Sequence, residues 1–430
     1  MKKSKYTIIT KINDNNYLFY NSKTTFLKLF TKEQYDNFID DKLNDDFKEF
    51  VTSSDFDEFK EVANYRLKYI NKKKDYIRFT IFPTMKCNAY CEFCYENGEI
   101  RNDINPEVIE KTLDYIKSEA IKYKKLRIYW FGGEPFVRLD IMQYMTDVLT
   151  EFCKKNNISY RASVATNMSL LNEENFEDIL TNLRIDKVEY AFDGVGEAHN
   201  KSKNYRDKNF NAFIHNKTML PKLLEKGILV QLRLNCTISN FEELSNLLEE
   251  LLVEYGNYDN FVPYFAMIFP TAYYKDNEFL IKKQDLSYYK LKIISIMQKY
   301  KSLGMEAFPL GRGVINCYGS NPNSLVIGVD GLITKCQGCS NKINQAIGNV
   351  NDGIDKNVNY YNWCYCNTIP DCTTCQLYPI CLGGCTDSIM SNNKLPCIKE
   401  KYYMDDLLKI VGEYMIKFNI KEYQYSIDEI

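Results

Sequence analysis

Histidine is almost absent: His199 and His215 are the only two in 430 residues. Neither lies near the cysteine-rich stretches, so imidazole ligands for a metal are not at hand there. No apolar run approaches the roughly 18–20 residues of a spanning helix, which predicts no membrane partner. The opening Met1-Lys-Lys-Ser-Lys5 lacks a following apolar signal core, so the chain is expected to stay in the cytoplasm. A formal charge of −2 and a pI near 6.0 give no global attraction to nucleic acid or to an anionic surface. Cysteine, by contrast, is plentiful. Fifteen of them in a reducing compartment argue for metal ligation over disulfides. The length, with 45% apolar and 26% charged residues, fits two or three globular domains.

Three cysteines fall within eight residues in Cys87-Asn-Ala-Tyr-Cys91-Glu-Phe93-Cys94, directly after the strand-like run Tyr76–Phe82. Three thiolates on one loop hold three corners of an iron–sulfur cube and leave the fourth iron open to a small molecule. A zinc knuckle wants a fourth Cys or His close by, and this loop has none. The C-x3-C-x2-C spacing, with Phe93 as its apolar residue and Tyr95 following, resembles the radical S-adenosylmethionine (SAM) superfamily. That resemblance implies a [4Fe-4S] cluster whose open iron chelates the amino and carboxylate groups of SAM. One electron then cleaves SAM to methionine and a 5′-deoxyadenosyl radical. The protein's task is to aim that radical at one C–H bond and keep water away.

Residues 1 to about 75 carry no cysteine. Tyr6–Thr10, Tyr17–Tyr20 and Thr24–Phe30 read as short strands, with the turn-rich Asn13–Asn16 between the first two. Thr31-Lys-Glu-Gln34 fits a capping box, and Phe56–Ile70 has helical spacing. Three strands followed by helices resembles the winged-helix-like domains that bind the leader of a ribosomal peptide by adding it to a sheet edge. A layer that only covers the catalytic domain reads equally well. From 76 to 305 strand-like runs alternate with helical patterns, which implies a parallel sheet with right-handed crossovers. By resemblance this is a partial (β/α)6 barrel, with its site at the C-terminal strand ends.

Three strand ends carry the expected site. Gly132-Gly133-Glu134 resembles the family segment that holds the SAM amino group, its paired glycines letting a ligand approach the backbone. Thr166-Asn167 resembles a Thr-Asn-Gly segment beside SAM, with Met168 in place of the glycine. Asp193-Gly194 matches an Asp-Gly motif, with Ala191 where the family often has serine. Arg233 and Asn235 share one face of their strand and suit the SAM carboxylate or the substrate; a structural salt bridge is the alternative for them. His199-Asn200 and Tyr205-Arg206 resemble a substrate-side loop of peptide-modifying members. No residue is singled out as a catalytic acid or base.

The C-terminal part, 306–430, holds a second set. Cys317 is followed after thirteen residues by Gly331 and then Cys336, and Cys372-x2-Cys375-x5-Cys381-x3-Cys385 leads on to Cys397. This resembles the seven-cysteine SPASM pattern, which implies two auxiliary [4Fe-4S] clusters and three in all. By that resemblance Cys317, Cys336 and Cys385 serve the first, and Cys372, Cys375, Cys381 and Cys397 the second. Seven thiolates leave the first cluster one short. Cys339 is the candidate for the missing ligand, and a substrate thiolate the alternative. Cys153 and Cys236 read as packing residues, and Cys364-x-Cys366 as a ligand reserve or thiol pair. A closing amphipathic helix is expected over 401–419.

The resemblance implies a maturase of a ribosomal peptide that forms a thioether or a carbon–carbon cross-link. It further implies a precursor peptide held by its leader and an external reductant of the flavodoxin or ferredoxin type. A formylglycine-generating sulfatase maturase is the runner-up, but Gln337 stands where that group places its proposed aspartate base. Peptide epimerisation is a third possibility. An iron–sulfur electron-transfer or sensor protein would explain the thiolates but not Gly132-Gly133-Glu134.

Overall fold

A computed structural model describes residues 1–92, 94, 96, 101–268, 285–301, 304–311, 317–340, 342–365, 370–390 and 397–425. Phe93, Tyr95 and Cys366 lie outside the described residues. The chain forms two compact units, one of residues 1–72, 283–321 and 361–430, the other of 73–282 and 322–360.

In the first unit, a two-residue pair, β1 (Lys2–Lys3) and β5 (Val51–Thr52), flanks a meander of β2 (Thr7–Lys11), β3 (Asn16–Asn21) and β4 (Phe26–Thr31). Asn13 makes the first turn because its side-chain oxygen accepts the N–H groups of Asn15 and Asn16, at 3.0 and 2.9 Å. The capping box forms as the sequence predicts: Thr31 accepts from the Gln34 N–H, and Gln34 accepts from the Thr31 N–H, starting the helix Lys32–Ile39. Phe19, Phe30, Phe38, Phe47 and Phe50 bury one aromatic core around it. Each such ring contributes roughly 1.5–3 kcal/mol by leaving water. The helix Met404–Lys417 packs on β2 and β3. Gly412 permits this, since a Cβ there would sit 2.3 Å from Ile12 Cδ1. A final strand, Glu422–Gln424, pairs antiparallel with β4, which the sequence did not announce. The N-terminal segment also shares a core with the C-terminal cysteines: Tyr6, Val62, Tyr378 and Leu382 cluster against Cys372 and Cys375.

The second unit is built on six parallel strands: β6 (Tyr76–Ile81), β7 (Lys125–Trp130), β8 (Ser159–Ala165), β9 (Ile185–Phe192), β10 (Leu229–Cys236) and β11 (Phe261–Met267). They neighbour one another in sequence order, with helices such as Pro106–Ala120, Leu139–Lys155 and Phe241–Tyr255 between them. This is the α/β partial-barrel arrangement. Strands β9 and β10 show why the face is polar inside. Val188, Tyr190 and Phe192, like Val230, Leu232 and Leu234, are buried on the side the helices cover, while Glu189, Ala191, Arg233 and Asn235 are half-buried on the other. Beyond β6 the sheet continues with β12 (Ser324–Ile327), parallel to β6, then antiparallel β13 (Leu332–Thr334), β14 (Gly348–Asn349) and β15 (Gly353–Ile354). Residues 322–360, expected with the cysteine-rich C-terminal part, thus extend the barrel sheet. Among the described residues no helix is long and apolar enough to cross a membrane.

Candidate active site

The loop after β6 is fixed by backbone hydrogen bonds to the last residues of the helix Glu197–Lys203 and to the segment just after it. The N–H of Tyr90 donates to Lys203 O at 3.2 Å, that of Glu92 to Ser202 O at 3.0 Å, and that of Arg206 to Asn88 O at 3.0 Å. Cys87, Cys91 and Cys94 are thereby brought to one cavity. Burial pushes the Cys87 thiol up to about 12 and Cys91 to about 11, and raises Cys94. Bare, these sulfurs stay protonated; a metal that takes the thiolate displaces the protons. Three thiols lining one cavity are what an iron–sulfur cube bound at three corners would take.

The Gly-Gly-Glu segment ends β7, and the structure gives each of its parts a backbone or side-chain contact within the protein. A Cβ on Gly132 would lie 2.3 Å from Thr84 O, and one on Gly133 2.3 Å from Lys86 O. The glycines therefore let two backbone segments meet, the second being the start of the cysteine loop; Gly133 N–H donates to Thr84 O and Glu134 N–H to Lys86 O. Gly132 also has φ +128°, a conformation that favours glycine. Both glycines still border the cavity, whereas Glu134 lies beneath it, fully buried. Its carboxylate accepts from Thr166 Oγ1 at 2.9 Å, Asn167 N–H at 2.6 Å and Phe136 N–H at 3.2 Å. Burial raises its pKa to about 7, against the pull of those donors. Glu134 ties the end of β7 to that of β8.

Thr166 and Asn167 line the cavity, and Asn167 Nδ2 reaches Asn88 Oδ1 at 2.8 Å and Cys87 Sγ at 3.8 Å. Met168 has φ +71°, in the left-handed region. That is the physical reason a glycine would suit the position: the fully buried methionine side chain is bought with backbone strain of about 1–2 kcal/mol.

At the end of β9, Asp193 accepts from Asn235 Nδ2 at 2.7 Å and pairs with Lys203 Nζ at 3.1 Å. Burial works against the charged carboxylate, but Lys203, His199 and Asn235 outweigh it and hold the pKa below the usual range. Arg233 Nε donates to Asn235 Oδ1 at 2.7 Å and, among the described residues, makes no ion pair, so the salt-bridge alternative is not what is seen. His199 accepts the Asp193 N–H on Nδ1 at 3.1 Å, and burial drives its pKa down to about 3. It is a neutral packing residue that braces the strand end. Asn200 and Arg206 do not border the cavity.

Lys203 and Glu189 do border it, and neither was singled out from sequence. Glu189 accepts from the phenols of Tyr129, at 3.1 Å, and Tyr264, at 2.8 Å. Its place, two and four residues before Ala191 and Asp193 on the same strand face, was a usable signal. Lys203, at the end of a seven-residue helix, offered none.

In the first unit Cys372, Cys375, Cys381 and Cys397 line one cavity with Tyr378 and Lys401. Leu382 (φ +51°) and Gly383 and Gly384, also at positive φ, turn the chain sharply after Cys381. Lys401 Nζ lies 3.6 Å from Cys397 Sγ. These four fit a cluster by the same criteria. Cys317 and Cys385 belong to this unit and Cys336 to the other. Cys339 is fully buried, its N–H donating to Cys336 O at 3.0 Å. Cys153 and Cys236 are buried, Cys236 against Met267 Sδ at 3.8 Å. Cys364 is buried beneath the Arg66 guanidinium, which donates to its carbonyl at 3.1 Å.

Residues 81–235, which hold this cavity's cysteines and strand ends, match the family model of the radical SAM superfamily. The stretch 81–235 is thus similar to the radical SAM domain. A probable GTP 3′,8-cyclase of Methanothermobacter marburgensis is 31% identical over 129 residues, which is 29% of this chain and 37% of that one. An uncharacterised protein of Methanocaldococcus jannaschii is 27% identical over 111 residues, 25% of this chain and 37% of the other. The chain thus spans little more than a third of the length of these curated relatives. Among solved structures, anSMEcpe with bound AdoMet and a Cp18Cys peptide has TM-score 0.59 at 15% identity, covering 80% of this chain and 98% of that one. SuiB of Streptococcus suis bound to precursor peptide SuiA has TM-score 0.50 at 16% identity, covering 92% and 97%. At such identities these likenesses establish the fold.

Proposed function

We propose that this protein is a radical SAM maturase of a ribosomally made peptide, forming a thioether or, failing that, a carbon–carbon cross-link. The observation that carries the reading is the single cavity holding Cys87, Cys91 and Cys94 together with Gly132, Gly133, Thr166, Asn167, Asp193, Arg233 and Asn235. The three cysteines would hold a [4Fe-4S] cluster, and the strand-end residues would hold SAM. When bound, that pair supplies an electron to the sulfonium and a radical able to abstract hydrogen.

The chain's own residues do the rest. Asn167 and the Gly132–Gly133 backbone offer polar groups at one rim, while Arg233 and Asn235 present donors from the barrel face. Glu134 keeps two strand ends in register from below, and the apolar outer faces of β9 and β10 seal the barrel against water. In the first unit Cys372, Cys375, Cys381 and Cys397 would hold an auxiliary cluster, and Cys317, Cys336 and Cys385, with Cys339 or a substrate thiolate, another. Such clusters suit coordination of substrate or removal of the second electron after ring closure. The N-terminal strands would grip the leader. An external one-electron reductant of the flavodoxin or ferredoxin type would serve the cluster.

Two likenesses support a peptide substrate: SuiB is seen with its precursor and anSMEcpe with a peptide. The higher TM-score of anSMEcpe, a sulfatase maturase, keeps formylglycine formation as the second reading. Gln337, in the aspartate's place, speaks against it. The deciding experiment incubates reconstituted protein with SAM, dithionite and a short Cys-rich peptide encoded by a neighbouring gene, where one is found. Formation of 5′-deoxyadenosine with loss of two hydrogens from the peptide supports cross-linking. Absence of 5′-deoxyadenosine from cluster-replete protein refutes the radical reading.

A further inference from the structure

We propose that Lys203 is a positioning residue whose ammonium, oriented by Asp193, fixes a positive charge beside Cys91 and Cys94 and raises the reduction potential of the cluster held there. The inference rests on the reading that these cysteines hold a cluster. Lys203 is only 7% exposed, a rare state for lysine unless it is paired, and it borders the same cavity as the three cysteines. Its partner Asp193 lies 3.1 Å away and is itself held on the far side by Asn235 at 2.7 Å. The pair is therefore held in place at the edge of the cavity that the three cysteines also line.

The loop cannot drift from this charge, because Lys203 O accepts the N–H of Tyr90, the residue before Cys91. A four-iron cube on three thiolates is an anion, and reduction adds one further negative charge. A nearby cation favours the reduced state and a nearby anion opposes it, the more so where water is excluded.

The test is a spectropotentiometric titration of the full reconstituted chain, following the cluster whose spectrum responds to added SAM. Lys203→Met is expected to lower its potential, Asp193→Asn to raise it, and Lys203→Arg to leave it near wild type. A purely structural pair predicts shifts in the same direction for Lys203→Met and Asp193→Asn, since both break one ion pair. That result, or no shift, overturns the proposal. If Lys203→Met takes up no iron, Asp193→Asn and Lys203→Arg still decide it: an Asp193→Asn potential that fails to rise, or a Lys203→Arg potential that falls, overturns it. A wild-type chain that forms no SAM-responsive cluster refutes the underlying reading and the proposal with it. A responsive cluster whose potential ignores these substitutions refutes the proposal alone.

Discussion

Replacing Gly133 by alanine isolates one steric demand of the site. Gly133 is not in a left-handed conformation, so alanine can adopt its backbone without torsional penalty. The added methyl would lie 2.3 Å from Lys86 O, 2.6 Å from Lys86 C and 2.6 Å from Met85 O, where ordinary contact begins near 3.4 Å. All three neighbours are backbone, so no side chain can swing aside. The segment Met85–Lys86 must retreat by about 1 Å, and with it Cys87, the next residue. Overpacking of this kind costs about 1–3 kcal/mol. For a unit of this size that is roughly 2–10 °C in Tm. Retreat also breaks the hydrogen bond from Glu134 N–H to Lys86 O, at 2.9 Å. The assay compares thermal melting of the apo protein and iron uptake on reconstitution. Both should fall, and 5′-deoxyadenosine formation should fall further, because Cys87, a proposed cluster ligand, is displaced. A variant that melts with wild type and takes up equal iron would refute the claim that the glycine exists for this contact.

Other substitutions test separate links. Glu134 has its folded pKa raised from 4.5 to about 7, so its neutral form stabilises the apo fold below about pH 4.5 and that contribution is lost as pH rises through 7. Glu134→Gln should therefore gain stability on wild type across that window, by at most ~3 kcal/mol, in denaturant melts taken from pH 4.5 to 8; a constant difference would show that Glu134 does not titrate there. Met168→Gly relieves about 1 kcal/mol of left-handed strain but empties a buried site worth roughly 2–5 kcal/mol, so a net loss of stability is expected by urea unfolding. Cys375→Ser should remove roughly a third of the bound iron if three clusters form, while leaving the SAM-responsive spectrum in place. Thr31→Ala should cost about 1 kcal/mol in the same urea assay, because it removes the cap of the helix Lys32–Ile39.

Local signals were the readable ones. Alternation in Leu229–Cys236 placed Arg233 and Asn235 on the cavity face, and Thr31 with Gln34 located a helix start to the residue. Cysteine spacing gathered two sets that the fold indeed brings together, Cys87 with Cys91 and Cys94, and Cys372 with Cys375, Cys381 and Cys397. What stayed hidden depends on contacts distant along the chain. The role of Gly132 and Gly133 is set by Thr84 and Lys86 some fifty residues earlier, which no motif encodes. Lys203 is buried by a cysteine loop more than a hundred residues before it. The sharing of a core by Tyr6 and Cys375 joins the two ends of the sequence, beyond the reach of any window.

The strand Glu422–Gln424 completes the sheet begun by Thr7–Lys11. Its consequence falls on synthesis. A nascent chain usually folds from its N-terminus as it emerges, but here the first sheet stays one strand short until residue 424 has left the ribosome, and the cluster around Cys375 stays unmade until Leu382 has. Residues 73–282 can build their six-stranded core in the meantime. The order of assembly therefore places the six-stranded core of residues 73–282 first and the unit that holds residues 1–72 last. A chaperone that shields β4 during that interval would be expected to bind the nascent chain and not the finished one.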